Sequence, residues 1–181
     1  YLGSIDPIYV KTVSSQDSIR IKGKDGIYSV TAPGQVSIQG KRTILEGGDG
    51  GIGTADTPLI LSLLEGAQLT ARAAEIIHIH ETNGNLNLAE IFSLSDVDLF
   101  AKGSILDSRG RRPVAVMGGA VNLESAEGLI GHSSNPLAIG VSPTGELKAT
   151  AFGGVFVKSP SIILNLGNIS ISGADGMSRQ I

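Results

Sequence analysis

The sequence predicts an all-β fold, a parallel β-solenoid in which short strands stack coil upon coil. Three observations predict it: apolar residues alternate with period two, the sequence repeats at a long fixed offset, and Gly and Asn cluster between the apolar segments. Pairs such as Ile77/Ile79 and Val97/Leu99 are typical of strands with one buried face. The clusters, such as Asn83-Gly84-Asn85, suit tight corners that need positive φ.

The long repeat keeps a constant 78-residue offset and needs no gap. Ile52-Gly53 returns as Ile130-Gly131, and Pro58-Leu59 returns as Pro136-Leu137. A long period with fixed apolar positions and changing polar ones indicates stacked repeats. We therefore expect internal repeats at about 19–96 and 97–174 within one β-helix segment that covers residues 1–181.

Two apolar ladders set the expected coil length. The first has successive steps of 17, 23, 18 and 20 before the pattern repeats, and it runs through Ile19, Val36, Leu59, Ile77, Val97, Val114, Leu137 and Val155. The second runs through Ile27, Leu45, Leu69, Leu86, Ile105, Leu123, Leu147 and Leu164. The ladders predict coils of about 17–24 residues, a 78-residue super-repeat of four coils and about nine coils in all. A β-sandwich also has short alternating strands, but its strands have no reason to repeat at a constant coil length.

Composition removes several function classes. The chain has 181 residues, a net charge of −3 and no cysteine, which excludes zinc-finger, iron–sulfur, thiol-nucleophile and disulfide-scaffold proteins. We expect no nucleic-acid partner, because there is no basic stripe with interleaved aromatic residues. No apolar run reaches the roughly 18 residues of a membrane span, so we expect no membrane insertion of this segment. The chain opens without Met or signal peptide, and we interpret it as a fragment of a longer chain.

Several phrases of the sequence resemble a known family. The segment Gly50–Leu59 and its copy Gly128–Leu137 share the form Gly-x-Ile-Gly-x-x-x-x-Pro-Leu. These segments, with Leu69–Ala73 and Leu99–Ile105, resemble the repeat regions of filamentous-haemagglutinin-type bacterial exoproteins, the surface adhesins often exported by two-partner secretion. The resemblance covers most of the chain from about Ile19. It implies a right-handed parallel β-helix that is secreted or displayed on a bacterial surface, and it implies no particular ligand.

His78-Ile79-His80-Glu81 is the segment most similar to a metal site. If Ile77 and Ile79 point inward, both histidines point outward on one face, roughly 6.5–7 Å apart along the strand. They could bind zinc or copper if a neighbouring coil supplied a third ligand. The long offset carries the two histidines onto Phe156 and Lys158, so we favour two solvent-facing histidines and expect neither a metal nor a cofactor.

Three other clusters each allow a functional and a simpler interpretation. Gly47–Gly51 is similar to a calcium-binding nonapeptide but has Ile52 where a ligand should stand, which favours a corner loop. Asp96 and Asp98 have the separation that glycosidases use, but no aromatic platform for a sugar accompanies them, so we expect no enzyme activity and no catalytic residue. Arg109–Arg112 could bind an anionic partner, and a solvated corner is the simpler interpretation.

The sequence thus favours a structural rod or adhesive segment that spaces or presents a binding region. Expected partners are glycans or proteins of host or neighbouring cells, with end-to-end self-association as a further mode. Two alternatives remain: a carbohydrate-binding or polysaccharide-degrading β-helix, and the subunit of a self-assembling extracellular fibre.

Overall fold

The structure, a computed structural model, describes residues 1–110, 113–160, 163–173 and 179–180, the last two by their backbone alone. Within these ranges the chain is all-β and has no helix. The first eleven strands are β1 (Leu2–Ser4), β2 (Ile8–Val10), β3 (Val13–Ser14), β4 (Ser18–Gly23), β5 (Ile27–Ser29), β6 (Ile38–Gln39), β7 (Arg42–Glu46), β8 (Leu59–Leu61), β9 (Gln68–Ala73), β10 (Ile77–Glu81) and β11 (Leu86–Ser93). The others are β12 (Val97–Ala101), β13 (Ile105–Asp107), β14 (Val116–Gly118), β15 (Val121–Ser125), β16 (Leu129–Ile130), β17 (Leu137–Val141), β18 (Leu147–Ala151), β19 (Gly154–Val155), β20 (Val157–Lys158), β21 (Leu166–Ile171) and β22 (Arg179–Gln180).

The strands stack into a parallel β-solenoid, as predicted. One sheet has the order β1-β4-β7-β9-β11-β13-β16-β19, with β14, β17 and β20 continuing from β11. A second has the order β3-β6-β8-β10-β12-β15-β18-β21-β22, and β2 pairs with β5. Among the described strands only β21 and β22 pair in antiparallel fashion. Parallel pairing of strands about one coil apart excludes the β-sandwich, whose sheets are antiparallel.

One continuous ladder of stacked residues defines the number of turns. It runs through Ile8, Ile27, Ile52, Ile77, Val97, Val121, Leu147 and Leu166. These eight rungs enclose seven turns, so the stack is about 34 Å long at the usual spacing of neighbouring strands. The prediction of about nine coils was wrong. The cause is that the predicted ladder counts some residues of a single turn as successive rungs, such as Val97 and Val114, whereas Val97 stacks on Val121.

The turns are slightly longer than predicted. Ile8 stacks on Ile27 in a short turn, whereas Val121 stacks on Leu147 in a turn that exceeds the longest predicted step. The predicted steps from Ile77 to Val97 and from Leu86 to Ile105 are confirmed. The predicted step from Val97 to Val114 is wrong, because Val97 stacks on Val121.

The 78-residue offset relates strands of different faces. It maps β9 onto β18 and β11 onto β21, and in both cases the first strand lies in one sheet and its copy in the other. Three turns from Ile77 lead to Leu147, which lies short of the full offset. The repeat unit is therefore somewhat more than three turns, and the four-coil super-repeat is corrected.

The inner wall of the coil is apolar. Ile21, Leu45, Ile77, Leu99 and Leu123 belong to a single buried cluster along the axis and are inaccessible to solvent. Within the described ranges, buried Ser and Thr hydroxyls and the carboxylate of Glu81 interrupt this lining. Burying Leu, Ile and Val ladders supplies the main stabilising free energy, while hydrogen bonds between coils satisfy the backbone.

Candidate functional site

Two adjacent strands, β10 and β12, place three potential metal ligands side by side. The register pairs His78 with Asp98 and His80 with Phe100. Because Ile77 and Ile79 are fully buried, the alternation turns both histidines to the outer face, as predicted. The next coil contributes Asp98, the kind of third ligand on which the sequence made metal binding depend. We refer to these three residues as the His78/His80/Asp98 cluster.

The donor atoms of the cluster are close together. Nε2 of His78 lies 3.3 Å from Oδ2 of Asp98, and one donor atom from each of the three residues lies within 4.8 Å of the others. The two imidazole rings have centroids 5.9 Å apart. Such a set could hold a metal ion without a change in the backbone.

The cluster is more sheltered than solvent-facing residues would be. The side chain of His78 is 12% exposed and that of Asp98 is 29% exposed. The ring of His80 packs against Phe100, with centroids 5.2 Å apart. Asn122 of the following coil donates an amide hydrogen bond to Oδ2 of Asp98 at 3.2 Å. The sequence correctly placed the histidines on the outer face but did not foresee this shelter.

Burial favours the neutral form of one imidazole, that of His80. Burial and the neighbouring His78 lower the pKa of His80, against the opposing effect of Asp98. A neutral imidazole is the form that binds a metal ion. Nδ1 of His78 is a buried nitrogen without a hydrogen-bond partner among the described residues.

Glu81 ends the same strand but belongs to the inner wall. Its side chain is inaccessible to solvent, and its two oxygens accept hydrogen bonds from the backbone N–H groups of Leu63 and Asn83. Burial raises the pKa of Glu81 in spite of these bonds. Although Glu81 follows His80 directly, it stabilises a corner and is not part of the cluster.

Asp96 is bound into the coil rather than facing a cleft. Its Oδ1 accepts a hydrogen bond at 2.8 Å from the backbone N–H of Ala120, one coil further on. Asp98 lies between His78 and Asn122. Asp96 therefore bonds the backbone of the next coil, whereas Asp98 contacts the side chains of His78 and Asn122.

The Gly47–Gly51 segment is a tightly stacked corner. Gly48 has φ of +58°, and the N–H of Asp49 bonds the carbonyl of Lys24 at 2.6 Å. A Cβ at Gly48 or Gly50 would collide with the backbone of the preceding coil. The glycines therefore permit close stacking, in agreement with the corner-loop interpretation.

The basic cluster lies only partly within the described residues, since Arg111 and Arg112 fall outside them. The Nε of Arg109 lies 2.8 Å from Oδ2 of Asp107, and its Nη1 donates to the carbonyl of Pro113. Both charged side chains are largely buried. Arg109 is thus engaged within its own loop.

Asp98, the third residue of the His78/His80/Asp98 cluster, was not predicted from the sequence as a metal ligand. Ile77 and Val97 are consecutive rungs of the predicted ladder, so His78 and Asp98 had to be neighbours. That signal was present, but Asp98 stood out only as a possible catalytic carboxylate.

The described residues include no helix long and apolar enough to cross a membrane. Comparison of the chain with protein-family models, with curated proteins and with solved structures finds no match.

Proposed function

We propose that this chain is a rigid rod in a secreted or surface-displayed bacterial exoprotein, where it spaces or presents a binding region. The observation that carries the proposal is the unbroken ladder of seven turns from Ile8 to Leu166. Each coil contacts its neighbours, so the stack has one axis and few ways to bend. Its length of about 34 Å makes it a spacer.

The outer surface supports a role in display. Columns of outward side chains run along the axis, for example His78, Asp98, Asn122 and Lys148 on successive coils. Such columns can vary in sequence without disturbing the inner wall. A surface protein gains from this arrangement, since its binding groups can change while its rod remains stable.

The outer face carries ion pairs between neighbouring coils, and the whole chain has a negative net charge. Guanidinium–carboxylate pairs join neighbouring coils at Arg20 and Glu46, 2.9 Å apart, and at Arg72 and Glu90, 2.6 Å apart. A net charge of −3 gives little attraction for a polyanion such as nucleic acid. Glycans and proteins on other cells are therefore the partners that we propose.

The resemblance to filamentous-haemagglutinin-type repeats supports the location of the rod outside the cell. An antiserum against the purified chain tests this on cells that carry the gene. We expect it to label intact bacteria, or their culture medium, without permeabilisation. Labelling that requires permeabilised cells would contradict the proposed location.

Adhesion is tested separately with beads coated with the chain. We expect coated beads to bind host cells or a defined glycan more than beads coated with an unrelated solenoid of similar charge. Equal binding by both kinds of bead would leave only the spacing role and would refute the adhesive one.

A further inference from the structure

We propose that the His78/His80/Asp98 cluster binds one divalent late-transition-metal ion, for which Zn²⁺ is the best-fitting candidate. The ion would join two adjacent coils, because both histidines belong to β10 and the aspartate belongs to β12. This site goes beyond the rod function, and neither inference depends on the other.

The donor types select the class of ion. Two imidazoles and one carboxylate suit Zn²⁺, which commonly takes three protein ligands and leaves a fourth position for water. Ca²⁺ and Mg²⁺ prefer oxygen ligands throughout and gain little from the two histidines. Cu²⁺ also suits such a set and generally binds nitrogen donors more tightly. It is therefore the natural competitor in a binding experiment.

The distances agree with a metal site that closes by small side-chain movements. Ligand atoms at about 2.0–2.1 Å from a tetrahedral zinc ion lie about 3.3 Å from one another. Nε2 of His78 and Oδ2 of Asp98 are already 3.3 Å apart. The full set spans no more than 4.8 Å, so side-chain movements of about an ångström would bring all three donors to the ion.

Neighbouring residues hold the ligands in place. The amide of Asn122 bonds Oδ2 of Asp98, and the ring of Phe100 packs on that of His80. Supporting contacts of this kind orient metal ligands and strengthen binding.

The experiment uses the full chain without a polyhistidine tag, stripped of metal by a chelator that is then removed. Titration with Zn²⁺ in a calorimeter should show one equivalent bound per chain. The variants His80→Gln and Asp98→Asn should each weaken binding at least tenfold. The matched control is His132→Gln, since His132 is exposed and its imidazole ring bonds Ser134 in its own turn. That control should bind as the wild type does.

A thermal measurement provides the second readout. A ligand that binds only the folded chain raises its melting temperature in proportion to ln(1 + [L]/Kd). Added Zn²⁺ should raise the melting temperature of the wild type and of His132→Gln equally, and that of Asp98→Asn clearly less. Circular dichroism of the metal-free variants checks that each retains the wild-type spectrum.

Two results would overturn the proposal. One is the absence of stoichiometric Zn²⁺ and Cu²⁺ binding by the wild type at micromolar concentration. The other is an equal loss of binding in His132→Gln and His80→Gln, which would indicate dispersed surface binding rather than the His78/His80/Asp98 cluster.

Discussion

The carboxylate of Glu81 accepts a hydrogen bond at 2.8 Å from the backbone N–H of Leu63, which follows the strand one coil earlier. Its other oxygen accepts a second hydrogen bond from Asn83 at 2.9 Å. Glu81 stands in the inner wall between Leu61 of the preceding coil and Ala101 of the next. The buried carboxylate thus supplies hydrogen-bond acceptors for the backbone of two corners, one after β8 and one after β10.

We predict that Glu81→Ala destabilises the chain strongly. Each N–H left without an acceptor costs about 1–3 kcal/mol, so the loss of both acceptors should cost roughly 2–6 kcal/mol in urea unfolding. Glu81→Gln should cost less, because one amide oxygen can serve one of the two N–H groups. The matched control is Glu124→Gln, an exposed residue of β15, which should change stability by less than about 0.5 kcal/mol. Equal effects at the two glutamates would show that the hydrogen bonds of Glu81 are unimportant.

The second prediction concerns the inner wall. Leu86 is inaccessible to solvent and stacks on Ile105, so Leu86→Asp buries an unpaired carboxylate at a cost of several kcal/mol. We expect rapid proteolysis of its own coil and of both neighbours. Leu94→Asp is the control, since Leu94 is 73% exposed and should tolerate the charge. Proteolytic resistance of Leu86→Asp equal to that of the control would contradict the ladder.

The sequence repeat does not predict the burial of Leu164 correctly. The long offset predicts that Leu164 is equivalent to Leu86, yet Leu164 is only partly buried and packs at the edge of the core. We therefore expect a smaller loss of stability from Leu164→Asp than from Leu86→Asp. The reason is local: Leu86 belongs to β11 and is covered by Ile105 of β13 in the next coil.

Much of the fold could be predicted from alternation alone. A strand with one buried face requires apolar residues at alternate positions, which can be recognised in the sequence. Ile77/Ile79 and Val97/Leu99 lie inward as expected. The outward position of His78 and His80 followed from the same pattern. The prediction that Asp98 lies beside His78 was within reach, because it required only the step between two rungs of the ladder.

The stacking of one turn on the next was harder to predict than the inward and outward positions within a strand. Corner loops differ in length from coil to coil, so an offset that aligns strands need not equal a whole number of turns. The long offset carries β9 onto β18, which lies in the other sheet. The role of Glu81 was also missed, because a carboxylate at an inward position is explained only by the two corners that it bonds.

The third prediction concerns two carboxylates, Asp98 in β12 and Asp96 immediately before this strand. We expect the double variant Asp96→Asn, Asp98→Asn to fold, since an amide oxygen can still accept the hydrogen bond from Ala120. We also expect neither the wild type nor the variant to cleave pectin or alginate, measured as released reducing ends. Cleavage by the wild type that is lost in the double variant would establish an enzyme and refute the rod as the sole function.

The last prediction separates two costs that a corner glycine can carry. Gly53 and Gly66 both have φ of +68°, a conformation that disfavours side chains. A Cβ at Gly66 would meet open space, whereas at Gly53 it would collide with the carbonyl of His78 and the backbone nitrogen of Leu59. Gly66→Ala should therefore cost about 1–2 kcal/mol from backbone conformation alone, and Gly53→Ala clearly more.

Gly84 completes this comparison, because it has neither a positive φ nor an atom within 4 Å of an added Cβ. Gly84→Ala should leave stability unchanged or raise it by about 0.4–1 kcal/mol through the unfolded chain. Urea unfolding of the three variants should rank them as Gly84→Ala, Gly66→Ala and Gly53→Ala, from most to least stable. Since Gly53 contacts the strand of the His78/His80/Asp98 cluster, only Gly53→Ala should also weaken Zn²⁺ binding. A loss of stability at Gly66 equal to that at Gly53 would show that φ alone, and not the close approach of the coils, requires glycine at this corner.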